Sequence, residues 1–294
     1  MSPRSDHLKG LAITTAGVLV LTPDSLLIRL IETDTWTLLF WRGVLSFAGL
    51  FAIALVRYGG ETRARFAAVG AMGMWAALAF TGSSLFFVTA IKTTAVANAL
   101  VIVSATPLFA ALFSRVFLKE PVPARTWVAM VIGIAAIGYI VGAEASGGFQ
   151  NGSMLGNLAA VGCAACMGMA LTLMRKARGD NALQVVTLAG IMMAIVALAP
   201  STPLSIRAED IGYLVVLCLV VVPGAFVMTT IGPRYLPAPE VGLIFLLETV
   251  LGPFWVWLVL SEQPPEAAFI GGGVLIATLV VHAWLGLRAS RPSA

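Results

Sequence analysis

Three ionisable side chains in this sequence sit where charge is expensive. The stretch VGLIFLLETVLGPFWVWLVL, residues 241–260, is apolar on both sides of Glu248. LTPDSLLIRL, residues 21–30, carries Asp24 directly after Pro23, and LFWRG, residues 39–43, carries Arg42. A charge at the centre of a bilayer costs about 2.5–3.5 kcal/mol even on the lenient insertion scale, so each must face protein or water. Asp24 and Glu248 are therefore candidates for carrying a proton. Each also has a structural reading: a hydrogen bond to a neighbouring helix for Glu248, an ion pair with Arg29 for Asp24. Arg42 has three readings: a pair with Asp24, an anchor for an anionic substrate, or a cation reaching the interface beside Trp36 and Trp41.

Around these stand neutral groups able to hold a small molecule. Asn98, Thr106 and Thr249 are polar within apolar runs, and Trp75 offers a stacking face too deep for an interfacial belt. Pro23, Pro107, Pro223 and Pro253 also fall inside such runs. Each removes one helical hydrogen bond, and freed backbone at membrane depth needs protein or a wet cavity around it. The helices that carry them, together with the residues above, form the expected substrate-binding set.

Other chemistries have no support in the residues. The four lysines lack a Gly-rich approach, so no Walker A motif and no direct use of ATP is expected. His7 and His282 have no partners at metal-ligand spacing, and no nucleophile elbow or zincin pattern occurs. Cys163 and Cys166 have redox-motif spacing, but with Cys218 they lie in apolar runs and read as helix-packing residues. No cofactor, metal or catalytic residue is expected, and the chain does not read as an enzyme.

The elements that must position these groups follow from composition. Of 294 residues, 59% are hydrophobic and 11% charged, with a mean hydropathy of +0.96. A soluble domain carries nearer a quarter charged residues, roughly, to wet its surface. The apolar runs fall at 8–28, 36–56, 66–90, 95–117, 123–143, 153–174, 182–200, 209–231, 238–260 and 266–287, which predicts an all-α membrane protein with ten transmembrane helices. Placing both termini in the cytoplasm puts 14 of the 18 Lys and Arg inside, in accord with the positive-inside rule. The net charge of +4 is thus topogenic, and no nucleic-acid partner is expected. In GYIVG, residues 138–142, the glycines read as a close helix contact.

Residues 92–122, KTTAVANALVIVSATPLFAALFSRVFLKEPV, lie over 234–264, RYLPAPEVGLIFLLETVLGPFWVWLVLSEQP, at a constant offset of 142. Each copy opens on a cation, breaks an apolar helix in the middle, and closes on an acid, Glu120 or Glu262. Ten spans then divide into repeats at 1–146 and 147–294. Because five is odd, the second copy runs through the membrane in the opposite sense. Glu248 falls opposite Thr106 in this comparison, and the two interruptions are expected to face each other near the midplane.

Those two segments resemble the closing two-helix signature of the EamA domain, the repeat unit of the drug/metabolite transporter superfamily. LFWRG likewise resembles the Arg-led start of that family's second helix. The acid-Pro pair of the family's fourth and ninth helices is split here, as Thr106-Pro107 in one copy and Glu248-Thr249 in the other. The resemblance implies two inverted five-helix repeats forming a permease or exporter of small metabolites in the inner (plasma) membrane. The reading is a secondary transporter by alternating access, exporting amino acids or related compounds, as a monomer or homodimer. Its rivals are a scaffold or receptor with a sealed core and a membrane-embedded enzyme.

Overall fold

The computed structural model describes residues 3–119, 121, 123–146, 154–177, 181–231, 235–236 and 238–289. The helices are α1 (Pro3–Leu21), α2 (Asp24–Leu30), α3 (Thr35–Tyr58), α4 (Thr62–Ala67), α5 (Gly70–Thr93), α6 (Val96–Val103), α7 (Thr106–Phe113) and α8 (Ala124–Ser146). After them come α9 (Met154–Ala177), α10 (Ala182–Leu198), α11 (Ala208–Val215), α12 (Val222–Ile231), α13 (Ala238–Leu260) and α14 (Glu266–Ala289). Nine of the described helical stretches are long and apolar enough to cross a membrane. The seventh apolar run forms α10, of 17 residues, packed between α3 and α5. The acid Glu120 and the boundary proposed between the repeats lie outside the described residues.

The prolines divide the first and fourth runs into α1–α2 and α6–α7, and the sequence shows how the damage is repaired. A proline leaves the carbonyl four residues before it without an amide donor. Before Pro23 that acceptor is Leu19, and the Thr22 hydroxyl donates to it at 2.9 Å. Before Pro107 it is Val103, and the Thr106 hydroxyl donates to it at 2.7 Å. Pro223 follows Val222, which has no hydroxyl; the chain widens instead into a π-helical segment, Val216–Val221. Pro253 lies inside α13, which continues through it.

Contacts between helix ends fix the direction of each span. Lys92 donates to the carbonyl of Ile31, the Thr94 hydroxyl to Asn157 Oδ1 at 2.9 Å, and the Trp41 indole to the carbonyl of Pro203 at 3.0 Å. Arg29 pairs with Glu262. The chain positions near 31, 92, 157, 203 and 262 therefore share one end of the bundle, termed the Glu262 end. At the other end Lys9 lies over the Tyr235 ring, Arg125 donates to the Leu285 carbonyl, and Arg175 to Ser114. The first set of spans opens from that second end with α1 and the second set from the Glu262 end with α9, which is the inverted arrangement.

Packing follows the same exchange. α5 packs on α9, as α1 does on α12; α7 packs on α9, as α1 does on α13; α10 meets α5, as α3 meets the π-helical segment of the eighth span. On the pseudo-axis, α3 and α10 cross where Gly43 and Gly190 lie together: a Cβ at Gly43 would come within 2.6 Å of the Ala194 amide nitrogen. The glycines of GYIVG behave differently from expectation, since a Cβ at Gly138 or Gly142 would meet nothing within 4 Å. Close approach is made instead at sites such as Gly43 and at Gly271, against Ile140.

Candidate functional site

The break at Thr22-Pro23 starts α2 with Asp24, whose side chain turns inward against α3. There Arg42 engages it with both arms of its fork, Nη1 to Oδ1 at 2.8 Å and Nη2 to Oδ2 at 3.2 Å. The two side chains are 10% and 4% exposed, so the pair is held nearly out of solvent. Of the readings open for Arg42, the structure selects the pair with Asp24. Arg29, the other cation considered for Asp24, reaches Glu262 instead. The bidentate geometry fixes orientation as well as charge.

The second repeat approaches this pair through α13. Glu248, Gly252 and Trp255 recur at i, i+4 and i+7, so they share one helix face. That face lies along the break in the first span. The Trp255 indole donates to the Thr22 hydroxyl at 3.0 Å, and a Cβ at Gly252 would lie 3.2 Å from the buried Ser25 hydroxyl. Glu248 is close enough to feel the charges of Asp24 and Arg42. Among the described residues no hydrogen bond or ion pair to Glu248 is formed. Asp24 and Arg42 are paired with each other, so the centre keeps one carboxyl group, that of Glu248, without a hydrogen-bond partner among the described residues where two inverted halves meet.

Other expected site residues are placed elsewhere. Thr106 donates its hydroxyl to the Val103 carbonyl that Pro107 freed, and α13 packs on α6, the helix before that break. Asn98 is fully buried on α6, between Val96 and Leu100, the latter packed against Gly252. Thr249 is buried one position round α13 from Glu248. Trp75, on α5, is 58% exposed and joined to none of the charged triad by hydrogen bond or ring contact among the described residues. Pro23 shapes the site directly, while Pro107 and Pro223 shape the neighbouring spans and Pro253 follows Gly252. Cys163 is buried 3.4 Å from the Ser83 hydroxyl, Cys218 is buried too, and all three cysteines are free thiols.

Sequence reasoning did not single out Thr22, Ser25, Gly252 or Trp255. For Gly252 and Trp255 the available signal was the i, i+4, i+7 spacing from Glu248, and for Thr22 and Ser25 it was their place on either side of Pro23-Asp24.

Among the described residues, nine membrane-length apolar helices and the shorter α10 form two antiparallel sets with broken helices and a charge cluster at their junction, which defines a multi-pass membrane protein of the inverted-repeat carrier class. The model of the EamA-like transporter family matches residues 10–142 and again 154–284. The chain belongs to that family, as two copies of its repeat, and is a transporter of the drug/metabolite type. A protein of known crystal structure is similar at a TM-score of 0.66 and 18% identity, covering 95% of this chain and 99% of that one, which shows a shared fold. No curated protein matches the sequence.

Proposed function

We propose that the protein is a secondary carrier that exports small metabolites, amino acids and related compounds foremost, across the inner (plasma) membrane. Both termini face the cytoplasm, which makes the Glu262 end external; the charge distribution between loops supports this orientation. The repeats at 1–146 and 147–294 rock against each other about a centre formed by Asp24, Arg42 and Glu248. Nucleotide hydrolysis plays no part, and the carrier works as a monomer or homodimer.

The observation that carries this reading is the uncommitted Glu248 beside a completed Asp24–Arg42 pair. A carboxylate with no fixed partner at membrane depth needs a mobile one, either a proton or the ammonium group of a substrate. Exchange of one for the other couples substrate export to proton entry. The Asp24–Arg42 pair holds the first and second spans together while α13, bearing Glu248, moves with the other half.

The experiment is a resistance screen of cells with and without the gene against toxic amino acids and their analogues. Export predicts that expression raises the tolerated concentration of at least one compound, and that Glu248→Gln abolishes the gain. Sensitisation by expression would mean uptake. An unchanged profile across the panel would refute the amino-acid reading.

A further inference from the structure

The fold crosses its halves at the Glu262 end with a contact that the central site does not need. Glu262 follows α13, in the second repeat. It reaches the first repeat twice: Arg29 Nη2 lies 3.2 Å from its carboxylate, and the Val96 amide donates to Oε1 at 3.0 Å. Val96 is the first residue of α6, and Ala95 before it has no side chain able to cap a helix. An N-terminus without a local acceptor leaves its first amides unsatisfied and attracts negative charge. Here the acceptor comes from the opposite repeat. Arg29 completes the junction by donating to the Thr94 carbonyl at 2.8 Å as well.

Directly beneath, α6 packs on α13 where Leu100 meets Gly252. The second half of that span, α7, turns to α9 and α8. The closed contact between the fourth and ninth spans is thus made at the Glu262 end, above the Asp24–Arg42–Glu248 centre. A second pair at the same end, Glu32 with Arg207, is 70% and 52% exposed, whereas Glu262 and Arg29 are 28% and 23% exposed. Exposed pairs contribute little, so of the two ion pairs at this end the one at Glu262 holds more strongly, and it is the one that ties α13 to α2 and α6.

We infer that Glu262 is the latch of a gate at this end: its carboxylate, bound to Arg29 and capping α6, keeps the central site shut from that side. The inference rests on the alternating-access reading. Opening requires α13 to leave α2 and α6, which breaks both contacts and uncaps α6.

The test uses full-length protein with Cys163, Cys166 and Cys218 replaced by alanine and a reporter, Ser25→Cys, one turn below Arg29. Modification by a membrane-impermeant maleimide is timed in right-side-out and in inside-out vesicles. Glu262→Gln or Arg29→Gln is expected to speed labelling from the Glu262 side by about tenfold, the scale of a charge-assisted hydrogen bond. Arg207→Gln is expected to change it by less than about twofold. The charge-exchanged double variant, Arg29→Glu with Glu262→Arg, is expected to recover part of the slow rate, which an unfolded protein would not. Labelling from that side unchanged in both single variants, with folding intact by gel filtration, would overturn the latch. If labelling accelerates but neither protein moves any compound, the latch stands and the carrier reading fails.

Discussion

At the scale of single residues, the centre of the fold sets one carboxyl group with a fixed partner, Asp24, beside one without, Glu248. Asp24 and Arg42 share two hydrogen bonds in a nearly dry setting. Removing one partner of such a pair leaves the other charge buried alone, so Asp24→Asn is expected to destabilise the protein by about 3–5 kcal/mol. Thermal unfolding in detergent would measure it. Glu248 has no such partner, and Glu248→Gln is expected to leave the melting temperature within a few degrees of wild type while removing the dependence of transport on a pH gradient. A large loss of stability would instead assign Glu248 to helix packing. The three charges were legible in the sequence because charge is rare in apolar runs. The choice among partners for Arg42 was not: sequence distance favoured no single pairing, and the helix break at Pro23 decides where Asp24 points.

At the scale of elements, local hydroxyls set how each proline is accommodated. Thr22 and Thr106 each supply the donor that the following proline lacks. Replacing either by valine strands a carbonyl in the interior at a cost of about 1–3 kcal/mol, measurable by thermal or denaturant unfolding. Thr22→Val is expected to cost more than Thr106→Val, since Trp255 also loses its acceptor. Outside the membrane, Asp34 caps α3 by accepting from the amides of Trp36 and Thr37, each at 3.0 Å. Partial burial pushes its carboxyl up, but the hydrogen bonds from Thr37 and Trp36 outweigh this and hold it below the usual aspartate range. A depressed folded value means the cap's contribution is fully present above the unfolded value of about 3.9 and is lost as pH falls through the folded one. Asp34→Ala should therefore lower stability by about 1 kcal/mol at pH 7, with the gap closing in strong acid. The runs, and the prolines within them, were readable from hydropathy. That the first and fourth would split while the ninth stays whole was not, because the outcome depends on side chains beside each proline and on neighbouring helices.

At the scale of the whole molecule, inversion was legible from an odd number of spans per repeat and a constant offset, and the exchange of packing partners bears it out. What the repeat could not supply was its own asymmetry. Counting from Gly43 and Gly190, which meet on the pseudo-axis, Ala189 stands where the second repeat would carry the counterpart of Arg42. The ion pair belongs to one half and the free carboxylate to the other. Thr106 and Glu248 differ in the same way: the hydroxyl is held by its own helix, whereas the carboxyl group forms no hydrogen bond among the described residues. In the proposed cycle, rocking of the halves would move Glu248 relative to that ion pair, and the site would be offered to each side with a different occupant. The most direct test is counterflow in proteoliposomes loaded with an unlabelled amino-acid mixture and exposed to trace radiolabelled amino acids. A carrier that alternates access predicts a transient accumulation of label that disappears when the internal mixture is omitted. Uptake no greater than in protein-free liposomes, or uptake indifferent to the internal load, would contradict it.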